Sequence, residues 1–491
     1  MPSSHPPLSS VATRQQVSWA SDRVVAAARV LVPDSGRAVA DAVAFGMVVS
    51  LVLAVGYVKG LVTVTVPLPD AVPSAVASDP VVVPQAAVSC LTLSGLFCTS
   101  ALVLFGQLAR SVRDESLPTT GPEIAAVVPV HRDAGALHRS VESLLAADYE
   151  DLHVYVVAEP GDEASIRRAR EYTSDDRVTL LVNTRYPGSK AGAINYAAEA
   201  TDTPHLAVFD ADERVHPRFL SAAVADLDDC DVVQGRTLPE PDGVVETVAY
   251  YESVLLGDLS QRVLTTVTGF TMAASRAVVM RRDAFETVAG YDPGMLTEDY
   301  DFAFRCYEAD LDVREQLAYA STIEGAHTAV DWWGQRKRWM TGYAQVLQDL
   351  LPTGSAAGED AGVRAHGRGA TDGDDGESDQ SERRDYRSLL SPLICGASVL
   401  GNLFLLSLVS KAAVLVQVGA LVWLALPVAT LASAALALRL HDSRIGRLDG
   451  VGFGWLLAPA ILPLYGLVAV RATVEYPLSW DGEWYSVAKD V

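Results

Sequence analysis

The segment His205-Leu206-Ala207-Val208-Phe209-Asp210-Ala211-Asp212 is an apolar run that ends abruptly in two carboxylates one residue apart. In an extended backbone, side chains at i and i+2 project to the same side. At or just past a strand end, Asp210 and Asp212 can therefore converge on one divalent cation. Hard oxygen ligands of this kind suit Mg2+ or Mn2+, and Mg2+ usually keeps room for substrate phosphates. The same pair also suits a solvated turn, because Asp populates turns freely. The surrounding sequence has to separate the two readings.

Around this segment, short apolar runs alternate with helical periodicity. Strands are expected at Ile124–Val130, Leu152–Ala158, Val178–Val182 and His205–Phe209. Helices are expected at Leu137–Ala147, Ile166–Tyr172, Ala191–Ala200 and Arg218–Ala225. This β-α-β-α order implies an α/β domain with a parallel, doubly wound sheet and helices on both faces. Ligands bind such sheets at the carboxyl ends of the strands, where Glu159 and Asp210 each fall. The domain is placed at residues 118–350.

Five flanking stretches approach the roughly 20 apolar residues that a helix needs to cross a bilayer. Two lie within residues 39–110, at about Ala42–Val66 (interrupted by Lys59) and Val82–Leu108. About three lie within 388–471, at Leu389–Val409, Ala412–Leu438 and Val451–Val470. Arg14, Arg23, Arg29 and Arg37 precede the first stretch, and Arg110 and Arg113 follow the second. The loop between them, Thr63–Pro80, has no Lys or Arg. By the positive-inside rule, the N-terminal segment 1–38 and the α/β domain face the cytoplasm of a multi-pass cell-membrane protein. The polar lead before the first stretch is unlike a cleaved signal peptide. Arg439, Arg444 and Arg447 place the loop after the fourth stretch inside too, so a fully crossing fifth span sends the tail 472–491 outside. Residues 352–387, rich in Gly, Asp, Ser and Glu, bury too little to order themselves and read as a disordered loop.

The chain of 491 residues has a formal net charge of −23. A pI near 4.7 excludes a nucleic-acid partner, which wants a basic surface. Mean hydropathy of +0.20 with 20% charged residues is apolar for a soluble protein. Abundant Asp, few Lys and many Ala and Val suggest adaptation to high salt, with an ordinary acidic surface as the alternative. Cys90, Cys98, Cys230, Cys306 and Cys395 form no metal-ligand spacing.

Three motifs accompany the carboxylate pair. Gly188-Ser189-Lys190-Ala191-Gly192-Ala193-Ile194-Asn195 opens a helix, whose free N–H groups together with Lys190 suit a phosphate or make a plain N-capped start. Met295-Leu296-Thr297-Glu298-Asp299-Tyr300-Asp301 is either ordinary capping acidity or a general base, Asp299, with Glu298 beside it near the substrate. In Asp331-Trp332-Trp333-Gly334-Gln335-Arg336-Lys337-Arg338-Trp339, a helix puts Gln335, Arg338 and Trp339 on one face. Arg338 could hold a diphosphate and Trp339 a sugar ring. The same stretch also suits an amphipathic helix at the membrane surface.

The ordered set Asp-x-Asp, Thr-Glu-Asp and Gln-x-x-Arg-Trp, set between apolar spans, resembles the membrane-bound family 2 glycosyltransferases, such as cellulose, hyaluronan and chitin synthases. The resemblance covers about Glu123–Val346 and implies a GT-A-like nucleotide-sugar-binding domain inserted between transmembrane helices. It implies that Asp210 and Asp212 contact the nucleotide and coordinate the metal on its diphosphate, with Asp299 deprotonating the acceptor hydroxyl. Gln335, Arg338 and Trp339 resemble the group lining the acceptor and diphosphate site, and Lys190 a nucleotide-site lysine. Val127-Val128-Pro129-Val130-His131 is similar to the end of the family's first strand. At the end of the second strand the family usually carries Asp; here Val156-Val157-Ala158-Glu159-Pro160 offers Glu159, with a longer reach toward the base.

The implied donor is a nucleotide sugar, with a UDP-sugar expected first. The implied reaction is a single displacement, which inverts the anomeric centre and gives a β-linked product from an α-linked donor. A growing β-linked polysaccharide is the expected acceptor. Single-sugar transfer to a lipid-linked acceptor is the alternative, and a non-catalytic membrane scaffold a remote one.

Overall fold

A computed structural model describes residues 84–111, 116–351, 386–399 and 419–475, with isolated positions between 401 and 416. The N-terminal segment, the Ala42–Val66 span, most of the 352–387 loop and nearly all of the C-terminal tail lie outside the described residues.

Residues 124–323 build a seven-stranded sheet. Its strands are β1 (Ile124–Val130), β2 (Leu152–Ala158), β3 (Val178–Val182), β4 (His205–Val208), β5 (Val232–Pro239), β6 (Val278–Arg281) and β7 (Val313–Ile323). The spatial order is β3-β2-β1-β4-β6-β5-β7. The first four strands pair in parallel, as the alternating pattern implies. β6 runs antiparallel to both β4 and β5, so the sheet is mixed rather than wholly parallel. β7 returns parallel to β5 across an irregularity between Gly235 and Thr237.

Both faces of the sheet are covered, and strand side chains alternate between two apolar layers. Ile124, Ala126 and Val128 pack with helices α2 (Leu137–Leu145) and α5 (Phe219–Leu227). Ala125 and Val127 face α4 (Lys190–Ala200) and α9 (Glu298–Glu308) on the other side. Between α2 and α4 lies α3 (Glu163–Tyr172), capped by Asp162, whose side chain accepts the Ser165 amide.

Beyond β5 the chain forms α6 (Val244–Glu252), a π-helical segment (Ser253–Leu259) and α7 (Ser260–Thr268). After β6 comes the short α8 (Arg282–Thr287), and after β7 the long α10 (Ala329–Leu350). Among the described residues, three helices are long and apolar enough to cross a membrane: Ala86–Ser111 within α1 (Pro84–Ser111), Leu421–Arg444 (α11), and Gly454–Thr473, largely α12 (Ala458–Glu475). Their mean hydropathies are 2.0, 2.1 and 1.6. The expected Ala412–Leu438 span is displaced: Gly419 adopts φ +73° and α11 starts only at Leu421. A left-handed residue ends a helix at that point and favours glycine.

The apolar helices share a core with the α/β domain. Leu104 and Leu108 of α1, Leu438 of α11 and Ile461 of α12 join Tyr250, Leu255 and Leu317 in one buried cluster. A charged joint sits beside it. Arg236 of β5 donates to Asp258 Oδ2 through Nε at 2.8 Å and Nη2 at 2.6 Å. It donates to Asp442 of α11 through Nη1 at 2.5 Å and Nη2 at 3.1 Å. The Tyr250 hydroxyl donates to Asp442 Oδ2 at 2.7 Å.

Candidate active site

A cavity of about 1410 Å3 opens at the carboxyl ends of β1, β2 and β4. Glu159, Lys190, Asp210, Asp212, Glu298 and Asp299 all line it, and so do Gln335, Arg338 and Trp339. Residues separated by up to 180 positions in the sequence therefore share one space. The wall continues past them onto Leu93, Leu96 and Phe97 of α1 and Leu462 and Tyr465 of α12.

The Asp-x-Asp pair lies just past β4, in a turn closed by the Glu213 amide donating to the Asp210 carbonyl at 3.1 Å. Ala211 is buried between the two carboxylates. Asp212 is almost wholly buried; its Oδ2 accepts the Glu324 amide at 3.1 Å, and its carbonyl accepts Arg139 Nε at 2.9 Å. Asp210 is more open and contacts Lys190 Nζ. Beneath them Glu213 Oε2 accepts the amides of Asp210 and Ala277, both at 3.2 Å. Full burial and the Asp210 charge push its carboxyl up to about 8. Among the described residues, no group of three or more His, Cys, Asp or Glu is placed to hold a metal by itself. The donor set is two carboxylates at an open cavity, which fits a hard divalent cation that takes its other oxygens from a phosphate or water.

Lys190 opens α4, whose N-cap Ser189 accepts the Gly192 amide through its side chain. The start is thus an N-capped helix and also places the lysine on the cavity wall. Glu159 is tied down rather than extended: it accepts Asn183 Nδ2 at 3.0 Å and the Gly188 amide at 2.8 Å. Its carboxylate shapes the loop that enters α4.

Glu298 and Asp299 form the first turn of α9. Ser275 Oγ donates to Glu298 Oε1 at 2.9 Å. Burial and then the Asp299 charge raise the Glu298 carboxyl above the usual range, opposed by Lys190 and Arg338. Asp301, in the same turn, is absorbed by Arg305 at 2.7 Å. The backbone of α10 presses on this segment. A Cβ at Gly342 would lie 2.5 Å from the Thr297 side chain, so the close approach requires glycine. Arg338 Nη1 donates to the Leu296 carbonyl at 3.2 Å, a second tie between the two motifs.

Several lining groups carry no local signal in the sequence. Arg336, which stands inside the Gln335–Trp339 motif, is buried and pairs with Glu252 of α6 at 2.9 Å. Its guanidinium lies over the rings of Trp332 and Trp339. Glu252 also accepts Trp332 Nε1 at 2.6 Å. A cation flanked by tryptophans foretells a buried anion, but nothing marks α6 as its source. Gln234, Arg236 and Arg276 reach the same cavity from β5 and the segment before β6.

Residues 122–342 match the family described as glycosyltransferase like family 2. This segment is a glycosyltransferase family 2-like domain. Over 184 residues the chain is 28% identical to a beta-monoglucosyldiacylglycerol synthase of Trichormus variabilis, covering 37% of this chain and 39% of that one. Over 245 residues it is 24% identical to the cellulose synthase 1 catalytic subunit of Komagataeibacter xylinus, covering 47% and 32%. The chain thus spans well under half the length of either relative. Among solved structures it is similar to a mannosyltransferase from Pyrobaculum calidifontis in complex with GDP-Man and Mn2+. That similarity has 16% identity and a TM-score of 0.44, and covers 81% of this chain and 100% of the other.

Proposed function

We propose that this chain is a membrane-bound, inverting glycosyltransferase that moves a sugar from a nucleotide sugar to the hydroxyl of an amphipathic, lipid-linked acceptor. The reading rests on one observation: the Asp-x-Asp turn, the Thr-Glu-Asp turn and the Gln-x-x-Arg-Trp helix line a single cavity that runs on to an aliphatic wall. The catalytic domain is taken to face the cytoplasm, where nucleotide sugars are made.

In this reading Asp210 and Asp212 hold a divalent cation, Mg2+ or Mn2+, which when bound neutralises charge on the donor diphosphate. Lys190 and Arg338 supply further positive charge to the departing diphosphate, a UDP group in the first instance. Glu159, through its hold on Gly188, shapes the wall near the nucleoside. Asp299 takes the proton from the acceptor hydroxyl as its oxygen attacks the anomeric carbon from the face opposite the diphosphate. Glu298, whose carboxyl is raised by burial and accepts Ser275 Oγ, holds the turn that presents Asp299. Gln335 and Trp339 orient the sugars.

The aliphatic wall favours a lipid-linked acceptor over chain extension. Leu93, Leu96 and Phe97 belong to a span-length helix, and Leu96 and Val267, which line the cavity, are exposed. An acyl or isoprenoid chain is stabilised by such a surface, whereas a polar glycan is not. The similarity to a glucosyldiacylglycerol synthase supports this choice, and that to a cellulose synthase supports the rival. The test incubates the full chain in nanodiscs with a panel of radiolabelled sugar nucleotides and Mn2+. Label appearing as one organic-extractable species supports the reading; a water-soluble ladder of increasing length overturns the acceptor assignment.

A further inference from the structure

A second cavity, of about 310 Å3, adjoins the Asp210–Asp212 turn. Its charged lining is His138, Arg139 and Glu142 of α2, Arg214 from just after the turn, and Arg447 from the connection between α11 and α12. Three guanidinium groups thus face one carboxylate. Two of these four groups already have partners: Arg139 pairs with Glu240 at 2.6 Å and Glu324 at 3.5 Å, and Glu142 accepts the Tyr172 hydroxyl at 3.1 Å.

Arg214 and Arg447 are different. Among the described residues, neither side chain has a carboxylate within 4.0 Å. Arg447 Nε is shielded from water and has no hydrogen-bond partner among the described residues. Burial and the neighbouring Arg214 charge push the Arg447 guanidinium below its usual range, with Glu240 opposing from a distance. Holding two like charges together around a partly desolvated donor is unfavourable without a counter-ion. Guanidinium forks match the oxygens of a phosphate in paired hydrogen bonds.

We propose that Arg214 and Arg447 form a phosphate-binding site beside the Asp210–Asp212 turn, for a phosphate carried by an anionic lipid headgroup or free in solution. Arg447 stands three residues beyond a span-length helix, and basic groups next to the end of a membrane span attract anionic headgroups. Arg139 lines this cavity and also donates to the Asp212 carbonyl, so occupancy there adjoins the turn that lines the larger cavity.

The test uses the full chain, metal-free, in nanodiscs of phosphatidylcholine at constant ionic strength, and follows the thermal unfolding midpoint. One arm adds inorganic phosphate; the other replaces part of the lipid with phosphatidylglycerol. A ligand that binds only the folded state raises the midpoint by several degrees at saturation. The expected result is such a rise in at least one arm, lost in Arg214→Gln/Arg447→Gln and kept in Arg447→Lys. A rise in the first arm identifies a soluble phosphate, and a rise in the second alone identifies a headgroup. Without added anion the double variant should melt no lower than the parent, because a repulsive pair is gone. Equal responses of parent and double variant in both arms, or no response in either, overturn the proposal; if the double variant cannot be purified, Arg447→Gln alone is read by the same criteria.

Discussion

Lys190 Nζ contacts Asp210 Oδ1, although the two residues come from the start of α4 and the turn after β4. Sequence patterning aims the lysine at a phosphate and the aspartate at a metal, yet each here answers the other. In the proposed reading a metal-bound diphosphate would take over both, with the cation held by Asp210 and the phosphate oxygens by Lys190. Lys190→Gln should therefore raise the donor KM about 10-fold, since hydrogen bonds to charged groups contribute about 1.5–3 kcal/mol. Half-saturation by Mn2+ should not rise. Steady-state kinetics at varied donor and varied metal check both, and a metal requirement that worsens with the donor KM unchanged contradicts this exchange.

Asp442 of α11 is fully buried on Arg236 and Tyr250, and Arg236 keeps a second carboxylate in Asp258. Removing one partner of a buried charge pair costs about 3–5 kcal/mol. Asp442→Ala should lower the unfolding midpoint at a fixed scan rate markedly. Arg236→Met/Asp258→Asn/Asp442→Leu, which leaves no charge of the joint unpaired, should recover much of the loss. A single variant as stable as the parent would show that the joint between sheet and apolar helix contributes little.

His216 carries a pH signature. Its Nδ1 accepts the Arg218 amide at 3.0 Å, which requires that nitrogen to be unprotonated. Burial, then Arg447 and Arg218, push its pKa from 6.5 down to about 4. The folded state thus binds this proton later than the unfolded chain does. The stability due to neutral His216 is fully present above pH 6.5 and is lost as pH falls from there through about 4. His216→Asn, whose carbonyl can accept the same amide and cannot titrate, should flatten that part of the pH profile. Denaturation profiles of both proteins between pH 4.5 and 7 make the comparison; parallel slopes would remove His216 from the account.

The parallel half of the sheet was legible because β1, β2 and β4 are buried on both faces and end at abrupt polarity changes, Val130–His131, Ala158–Glu159 and Phe209–Asp210. The second half was not. β6 is as short as β4, and its antiparallel direction is set by pairing with β4 and β5, which are distant in sequence. The π-helical segment Ser253–Leu259 has helical periodicity and no local mark of its wider turn. The candidate site residues carried by short motifs, which line one cavity, could be picked out from local spacing. Glu252 could not, because its partner Arg336 lies 84 residues away and only the fold unites them. Lys190 and Glu159 were legible as residues, but their contacts with Asp210 and Gly188 arise only once the strand ends converge.

The central claim is that Asp299 is the base in a sugar transfer using the donor held by Asp210 and Asp212. The most direct measurement compares Asp299→Asn with the parent in nanodiscs, following sugar transfer and Mn2+-dependent nucleotide-sugar binding on one preparation. The account predicts a fall in turnover of about 10²–10⁴-fold, the usual worth of general-base catalysis, with donor binding retained. Undiminished transfer by Asp299→Asn would contradict it.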